Sequence, residues 1–311
     1  MAGERGVSAA GQEAARRCGF VALIGAPNAG KSTLLNALVG QKVSIVSRKA
    51  QTTRALVRAI AIEGEAQIIF VDTPGIFMPK RRLDRAMVTS AWSGAGDADL
   101  VAFLVDARKG VDDEVASILD RLAEEPRRKL LILNKTDVLA DKAALIPLAA
   151  KLNERLAFEE TFMVSALTGD GVAELRRAFA SRMAPGPWHY PEDQLSDMPM
   201  RMMAAEITRE KIYDRLHEEL PYRSTVETTS FEAARGGAVR IEQTIYVERE
   251  SQRKIVLGKG GQTIKAIGAA ARRELEDIIE ARVHLFLFVK VRENWSEDPE
   301  RYREMGLEFP R

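Results

Sequence analysis

Gly25-Ala26-Pro27-Asn28-Ala29-Gly30-Lys31-Ser32 reads G-x-x-x-x-G-K-S, and the residues on both sides decide what it is. Phe20-Val21-Ala22-Leu23-Ile24 is an apolar run of the length of a buried strand. Thr33-Leu34-Leu35-Asn36-Ala37-Leu38-Val39 carries apolar residues at helical spacing, and Gly40 is placed to cap it. A glycine-rich loop between a strand and a helix N-terminus aims its backbone N–H groups at an anion. There Lys31 brings a point charge to the β/γ-phosphates of a nucleotide, and the Ser32 hydroxyl binds Mg²⁺. The plain alternative, a glycine turn without a ligand, gives no reason for strand and helix to flank it in this order. The loop alone leaves adenine and guanine equally open.

The chain of 311 residues has room for two domains, and a hydrophobic content of 46% with 29% charged residues describes a globular protein. Lys plus Arg number 46 against 45 Asp plus Glu, so any surface for nucleic acid must be local. The single cysteine, Cys18, excludes an intramolecular disulfide and fits a reducing compartment. Apolar runs such as Leu100–Val105 are far too short to cross a bilayer. Residues 1–17 are rich in Gly, Ala, Glu and Arg without an apolar signal core, and read as a disordered lead-in. A cytoplasmic location is expected.

Beyond the loop, Ser47-Arg48-Lys49-Ala50-Gln51-Thr52-Thr53-Arg54 is polar, basic and aperiodic, a segment able to order around a ligand. Ala55–Ile62 and Gln67–Val71 read as strands joined by a Glu63-Gly64-Glu65 turn, and the second runs into Asp72-Thr73-Pro74-Gly75. A carboxylate at a strand end followed by a glycine N–H can hold Mg²⁺ through water and touch a γ-phosphate. Leu100–Val105 and Lys129–Leu133 are further buried strands, interleaved with helices near Leu83–Trp92, Asp113–Ala123 and Ala143–Leu156. The alternation argues a mostly parallel sheet with helices on both faces.

The strand before Asn134-Lys135-Thr136-Asp137 brings in the base. A carboxylate at Asp137 accepts from N1–H and the 2-amino group of guanine; adenine offers neither donor and would leave it unpaired. Asn134 can tie this turn to the phosphate loop, and the Lys135 stem can lie along the base. Thr161–Val164 gives a last strand, ending in Ser165-Ala166-Leu167, whose backbone can meet the guanine oxygen.

These pieces together resemble the translation-factor-like class of GTP-binding proteins over residues 18–183. The resemblance implies GTP held by Gly25 to Thr33, by Asp72-Thr73-Pro74-Gly75, by Asn134, Lys135 and Asp137, and by Ser165-Ala166-Leu167. It implies Mg²⁺ at Ser32, Thr53 and Asp72, and hydrolysis that draws on Lys31, Thr53, Gly75 and Asn28. Thr53 is the switch threonine of the pattern, with Thr52 as the alternative. One departure stands out: Ile76 follows Gly75 where a Ras-like enzyme has glutamine, and isoleucine cannot orient a water by hydrogen bonds. Asn28 resembles the asparagine that binds K⁺ beside the phosphates in relatives; the other reading of Asn28 is a turn residue.

From Met183 the pattern breaks at Ala184-Pro185-Gly186-Pro187-Trp188-His189-Tyr190-Pro191, and residues 184–200 read as a linker. Arg201–Leu220 is a helix candidate with Ile212, Leu216 and Leu220 on one face, stopped by Pro221. Ser224–Ala233 reads as a strand, and Val239, Ile241, Ile245 and Val247 alternate with polar residues in another. Gly258-Lys259-Gly260-Gly261 then precedes a long helix candidate, Gln262–Glu280, and a strand, Val283–Val291. A lone G-x-x-G says little. In the order helix, strand, strand, short helix, GKGG, helix, strand it points to a KH domain over residues 201–293. Glycines let the backbone approach four nucleotides of single-stranded RNA. Arg253, Lys254, Gly258, Lys259, Gly260, Gly261 and Lys265 are the expected RNA-binding residues, and aromatic stacking groups are not obvious near the loop. Residues 294–311 read as a charged tail.

The fold class expected is therefore α/β, a P-loop GTPase fold with a mostly parallel sheet, followed by an α+β KH domain of type II. A GTPase domain joined to a KH domain across such a linker resembles the Era family of bacterial ribosome-assembly GTPases, and SRKAQTTR with VDTPGI strengthens the likeness. The resemblance implies a switch protein that hydrolyses GTP to GDP and phosphate. It implies binding to the 3′ end of small-subunit ribosomal RNA and a role in maturation of the 30S subunit. It further implies a monomer without a DNA partner, with peripheral association at the inner membrane. The competing class is an RNA-binding adaptor whose bound nucleotide is structural; Ile76 keeps it open.

Overall fold

Alternation along one strand sets the architecture of the first half. In β1 (Arg17–Gly25) Val21 and Leu23 face one side of the sheet, and Ala22 and Ile24 the other, all fully buried. A strand apolar on both faces must be covered twice. In the computed structural model, which describes residues 16–310 except 48, 50, 51 and 55, it is. Val21 and Leu23 pack with Leu34, Leu35 and Leu38 of α1 (Lys31–Val39) and with Leu175 and Phe179 of α5 (Val172–Arg182). Ala22 and Ile24 pack with Ala91 and Ala95 of α2 (Arg82–Asp97), Ile118 and Leu122 of α3 (Asp113–Glu124), and Leu152 of α4 (Leu145–Arg155). Leu23→Ala would remove one of these fully buried side chains at about 2–5 kcal/mol.

The remaining strands are β2 (Val57–Glu63), β3 (Ala66–Asp72), β4 (Leu100–Asp106), β5 (Arg128–Asn134) and β6 (Glu160–Met163). Their order is β2-β3-β1-β4-β5-β6, parallel throughout except for the antiparallel β2–β3 hairpin. Parallel pairing lines up the C-terminal ends of β1, β3, β4 and β5, where Gly25, Asp72, Asp106 and Asn134 stand. Ligands of open α/β sheets bind outside that end.

Residue contacts divide the chain into two units: one built from the residues before Ile45 with Thr53–Lys80 and Met87–Asp197, the other from Ile45–Thr52, Arg81–Ala86 and the residues from Met198 onward. The stretch expected as a linker, 184–200, is for most of its length laid along the first unit. Ala184–Pro185 forms a short strand, β7, antiparallel to Arg17 and Cys18 of β1. Gln67 binds the Tyr190 carbonyl, and Ile60 N–H donates to Leu195 O at 2.9 Å. Proline and glycine forbid a helix here without forbidding edge pairing, which is why composition alone reads as a loose joint. The segment 1–17, expected to be disordered, lies outside the described residues except for Arg16 and for Arg17, which opens β1. Burial raises the pKa of the Cys18 thiol, as befits an inert core cysteine.

The second unit carries α6 (Met200–Arg215), β8 (Ser224–Ala233), β9 (Val239–Val247), α7 (Glu250–Leu257), α8 (Gln262–Ile279), β10 (Val283–Val291) and α9 (Pro299–Glu304). Its sheet runs β10-β9-β8, with β9 antiparallel to β8 and parallel to β10. Ile241, Ile245 and Val247 of β9 meet Ile207 and Ile212 of α6 and Ile267, Ala271 and Leu275 of α8 in two adjoining clusters. Gln243, buried among them, is satisfied by Thr208 at 2.6 Å and Thr228 at 3.2 Å.

Two expectations change here. The helix expected over 201–220 ends at Arg215; Leu216 turns extended (φ −102°, ψ 150°) and Glu218 left-handed (φ 56°). Leu216 and Leu220 still join Ile212 in the core, so the apolar spacing marked burial rather than helix. Residues 294–310, expected as a charged tail, pack on the unit: Trp295 is buried with its indole N–H on Arg223 O at 3.0 Å, and Arg301 pairs with Glu227 at 2.7 Å.

Candidate functional site

The phosphate loop closes onto α1 through Gly30 (φ 99°), a conformation that a side chain would strain; a Cβ there would also collide with the Asn134 amide. Asn28, exposed, is left-handed too (φ 63°), and Thr33 sits in the first turn of α1. Lys31 is buried, donating to the carbonyls of Gly25 at 3.0 Å and Ala26 at 3.1 Å. Burial lowers its pKa to about 8, against the pull of Asp72. Ala26 O also accepts from Ala29 N–H at 3.2 Å. Gly75 lies so close under the loop that a Cβ would stand 2.9 Å from Pro27 Cα, and Ile76 N–H donates to Gly25 O at 3.1 Å. Thr73, just before Pro74, anchors this turn on Leu23 O at 2.6 Å.

Three hydroxyls converge on one oxygen of Asp72. Ser32 lies 2.9 Å, Ser44 3.0 Å and Thr53 3.1 Å from Oδ2, and Ser32 and Thr53 are 2.9 Å apart. The other oxygen, Oδ1, is buried without a hydrogen-bond partner. Burial raises the Asp72 pKa, while Lys31 and the three hydroxyls work to lower it. Hydroxyl and carboxylate oxygens around a buried, unsatisfied lone pair are the hard donor set that suits Mg²⁺. Among the described residues no three His, Cys, Asp or Glu side chains gather to hold a metal ion. Few protein ligands plus substrate phosphates is how Mg²⁺ is usually bound in such sites. Thr52 points elsewhere, its hydroxyl donating to Lys49 O at 2.9 Å.

At the other end of the loop, Asn134 is buried; its amide donates to Ala29 O at 2.9 Å and its oxygen accepts from Ala166 N–H at 3.0 Å. It thereby fixes the phosphate loop against the Ser165-Ala166-Leu167 turn. Lys135 is left-handed (φ 67°), and its ammonium bonds Asn28 O and, at 2.8 Å, Asp106 Oδ2. Asp137, exposed, accepts from Ser165 Oγ at 2.6 Å. Its carboxylate is thus oriented at one oxygen. Leu167 is 77% exposed beside it.

In the second unit Gly258 (φ 72°), Gly260 (φ 60°) and Gly261 (φ 77°) carry the chain from α7 into α8. The turn needs glycine at Gly258, where a Cβ would also overlap Thr263. Lys254, Lys259 and Lys265 are exposed around it, whereas Arg253 is tied to Val289 O at 3.3 Å and Glu250 at 2.8 Å. Next to the turn, a groove of about 310 Å³ runs between α8 and β10, lined by Ile264, Lys265, Gly268, Arg272, Leu285 and Leu287. Gly268 keeps it narrow, since a Cβ there would lie 3.3 Å from Leu287. Apolar floor, basic walls and a glycine turn at one end are what a short single strand of RNA requires.

Comparison with known proteins agrees at both levels. Residues 20–135 match the domain family described as a 50S ribosome-binding GTPase, and residues 219–296 match the KH domain. GTPase Era of Bradyrhizobium sp. (strain ORS 278) is 68% identical over 96% of this chain and 97% of its own. GTPase Era of Brucella suis biovar 1 is 64% identical over 94% of both. This chain belongs to the Era family of GTPases. Two solved Era structures superpose with a TM-score of 0.89 at 37% identity and cover 99% of their own chains. One holds MgGDPNP and nucleotides 1506–1542 of 16S ribosomal RNA, covering 94% of this chain; the other, from Aquifex aeolicus, holds GDP·AlF4⁻ and covers 93%.

Within this Era-family fold, three features have no motif to announce them. Ser44 is one serine in an aperiodic stretch, brought to Asp72 only by the path of the chain after α1. Asp106 ends β4 as Asp72 ends β3, and the shared register of the parallel strands is the signal that could have found it. The groove residues Ile264, Gly268, Leu285 and Leu287 read as ordinary core positions until helix and strand are docked.

Proposed function

We propose that this chain is a GTP-hydrolysing switch that binds the 3′ end of 16S ribosomal RNA and acts in assembly of the 30S subunit. The observation that carries the switch reading is the convergence of Ser32 and Thr53 on Asp72, whose Oδ1 has no partner. Ser32 and Thr53 would hold Mg²⁺ directly and Asp72 through water; the ion supplies charge stabilisation to the phosphates. Lys31 neutralises the β/γ-phosphates, the Gly75 N–H meets the γ-phosphate, and Asn28 holds K⁺ beside them. Asn134, Lys135 and Asp137, with the Ser165-Ala166-Leu167 turn, read guanine.

For the RNA, the solved Era relative holds a 16S segment and matches 94% of this chain, whereas the domain description that names the large subunit covers residues 20–135 only. We therefore adopt the small subunit. The 3′ strand would lie in the groove between α8 and β10, with Lys259 and the glycines of the turn on its backbone and Lys254 and Lys265 beside it. The setting we propose is the cytoplasm. No helix among the described residues is long and apolar enough to cross a membrane, so inner-membrane association would be peripheral.

One observation favours a second reading, an adaptor with structural nucleotide: Ile76 is buried in the core and offers no polar side chain after Gly75. RNA affinity measured with a GTP analogue, with GDP and without nucleotide separates the two. A switch binds RNA differently in the three states, and equal affinities would establish the adaptor.

A further inference from the structure

Strand β10 is an edge strand with two working faces. Leu285 and Leu287 turn inward and line the groove. Phe286 and Phe288, one residue out of phase, stand on the opposite face of the sheet, 43% and 49% exposed. They are the only exposed phenylalanines among the described residues. Neither belongs to a core cluster: α6 and α8 pack on the inner face through Ile241, Ile245 and Val247, and α9 meets the outer face through Arg301, which lies over Tyr246 and pairs with Glu227.

The surroundings of the two rings are polar and carry both signs of charge. Arg240 of β9 lies with its guanidinium 4.8 Å from the Phe286 ring centre. His284 and Lys290, both exposed, bracket the pair along β10. Across the register, Phe286 faces Glu242 and Phe288 faces Thr244. Glu242 is bound by Arg240 at 2.5 Å, and Glu227 of β8 by Arg301 at 2.7 Å; Glu232 stands farther out on β8. A protein partner would call for a contiguous apolar patch. Two isolated rings on a strand, about 7 Å apart and with Arg240 and Lys290 beside them, suit successive bases of a single strand.

We propose that single-stranded RNA leaving the groove crosses the edge of β10 and stacks two bases on Phe286 and Phe288, with Arg240, His284 and Lys290 near its phosphates. The inference rests on the reading of the groove as an RNA site. It makes the outer sheet face a second RNA contact, continuous with the first through one strand.

The test uses the full chain and two RNAs from the 16S 3′ end: six nucleotides to fill the groove, and the same segment with six more at each end. Wild type should bind the longer RNA about ten-fold or more tightly. The double variant Phe286→Ala/Phe288→Ala should bind the short RNA as wild type does and lose the gain on the longer one. Phe286→Leu/Phe288→Leu, which keeps apolar area without flat rings, should lose it too. Because both rings are half exposed, all variants should keep the wild-type thermal midpoint. An alanine variant that retains the gain would overturn the proposal, and a leucine variant that retains it would overturn the stacking of bases, since apolar area without flat rings would then suffice. If wild type fails to bind the short RNA at all, the groove reading falls and this inference with it.

Discussion

Thr53 and Asp72 are joined by a 3.1 Å hydrogen bond between Oγ1 and Oδ2, and that contact separates two adjacent threonines of identical chemistry. Thr52 spends its hydroxyl on Lys49 O. Only Thr53 shares the carboxylate with Ser32 and Ser44. Thr53→Ala should therefore lower Mg²⁺-dependent turnover about 10- to 100-fold, the range for losing a group that supports a metal. Thr52→Ala should change it far less. Turnover of both variants against Mg²⁺ concentration checks this, and the reverse ranking would move the switch role to Thr52.

Asp137→Asn should weaken GTP and shift preference toward xanthosine triphosphate, whose 2-oxo group accepts from the new amide. Competition binding of the two nucleotides measures the switch. Full GTP affinity with exclusion of the xanthine nucleotide would refute the assignment of Asp137 to the base.

Asp106 offers a pH test. Burial works to raise its pKa, and the Lys135 ammonium with the Arg108 N–H outweighs it, so the net shift is downward from 3.8. A carboxylate depressed on folding contributes stability that is present above its unfolded pKa and lost as pH falls through the folded one. Asp106→Asn should thus be less stable than wild type at neutral pH, and the gap should close only below about pH 4. With Lys135 less firmly held, GTP affinity should fall about ten-fold, a charge-assisted hydrogen bond being worth about 1.5–3 kcal/mol. Denaturant midpoints from pH 3 to 7, with nucleotide binding at pH 7, decide it.

Lys31→Ala should abolish tight nucleotide binding by removing the charge buried under the loop. Asn28→Ala should leave binding largely intact and erase any preference of the rate for K⁺ over Na⁺. If wild type hydrolyses equally fast in both salts, Asn28 is a turn residue and nothing more.

Replacing Lys259 and Gly260 by aspartates puts two negative charges against the RNA backbone and should cost most of the RNA affinity. GTP binding should be unchanged, because the first unit closes its own core on both faces of its own sheet. Loss of GTP binding would show that the two cores are not independent.

Legibility in the sequence followed the range of the interactions. The phosphate loop, Asp72 and Asn134 to Asp137 were readable because each motif is local, and because a buried strand rarely ends in such polar residues unless a ligand sits there. The strands of both units except β7 were found within a few residues, since alternation and apolar runs are local as well. What escaped depends on tertiary placement. Ser44 acquires its role from a fold-back to Asp72. The pairing of 184–185 with β1 needs the edge of a sheet that no short window contains. Trp295 and Tyr302, in a stretch dominated by charge, are both buried, Trp295 with its indole N–H on Arg223 in the turn before β8 and Tyr302 with its ring against Phe309.

The nine-residue register between β10 and β9, Val283 with Val239 through to Val291 with Val247, is a single setting shared by two surfaces. A slip of one residue would turn Phe286 and Phe288 toward α8 and push Leu285 and Leu287 into solvent, erasing groove and outer face in one event. A slip of two would keep the alternation and merely translate both by about 7 Å. Changes of length in the turn between α8 and β10 that feed into this pairing should therefore be tolerated by parity, in steps of two rather than one.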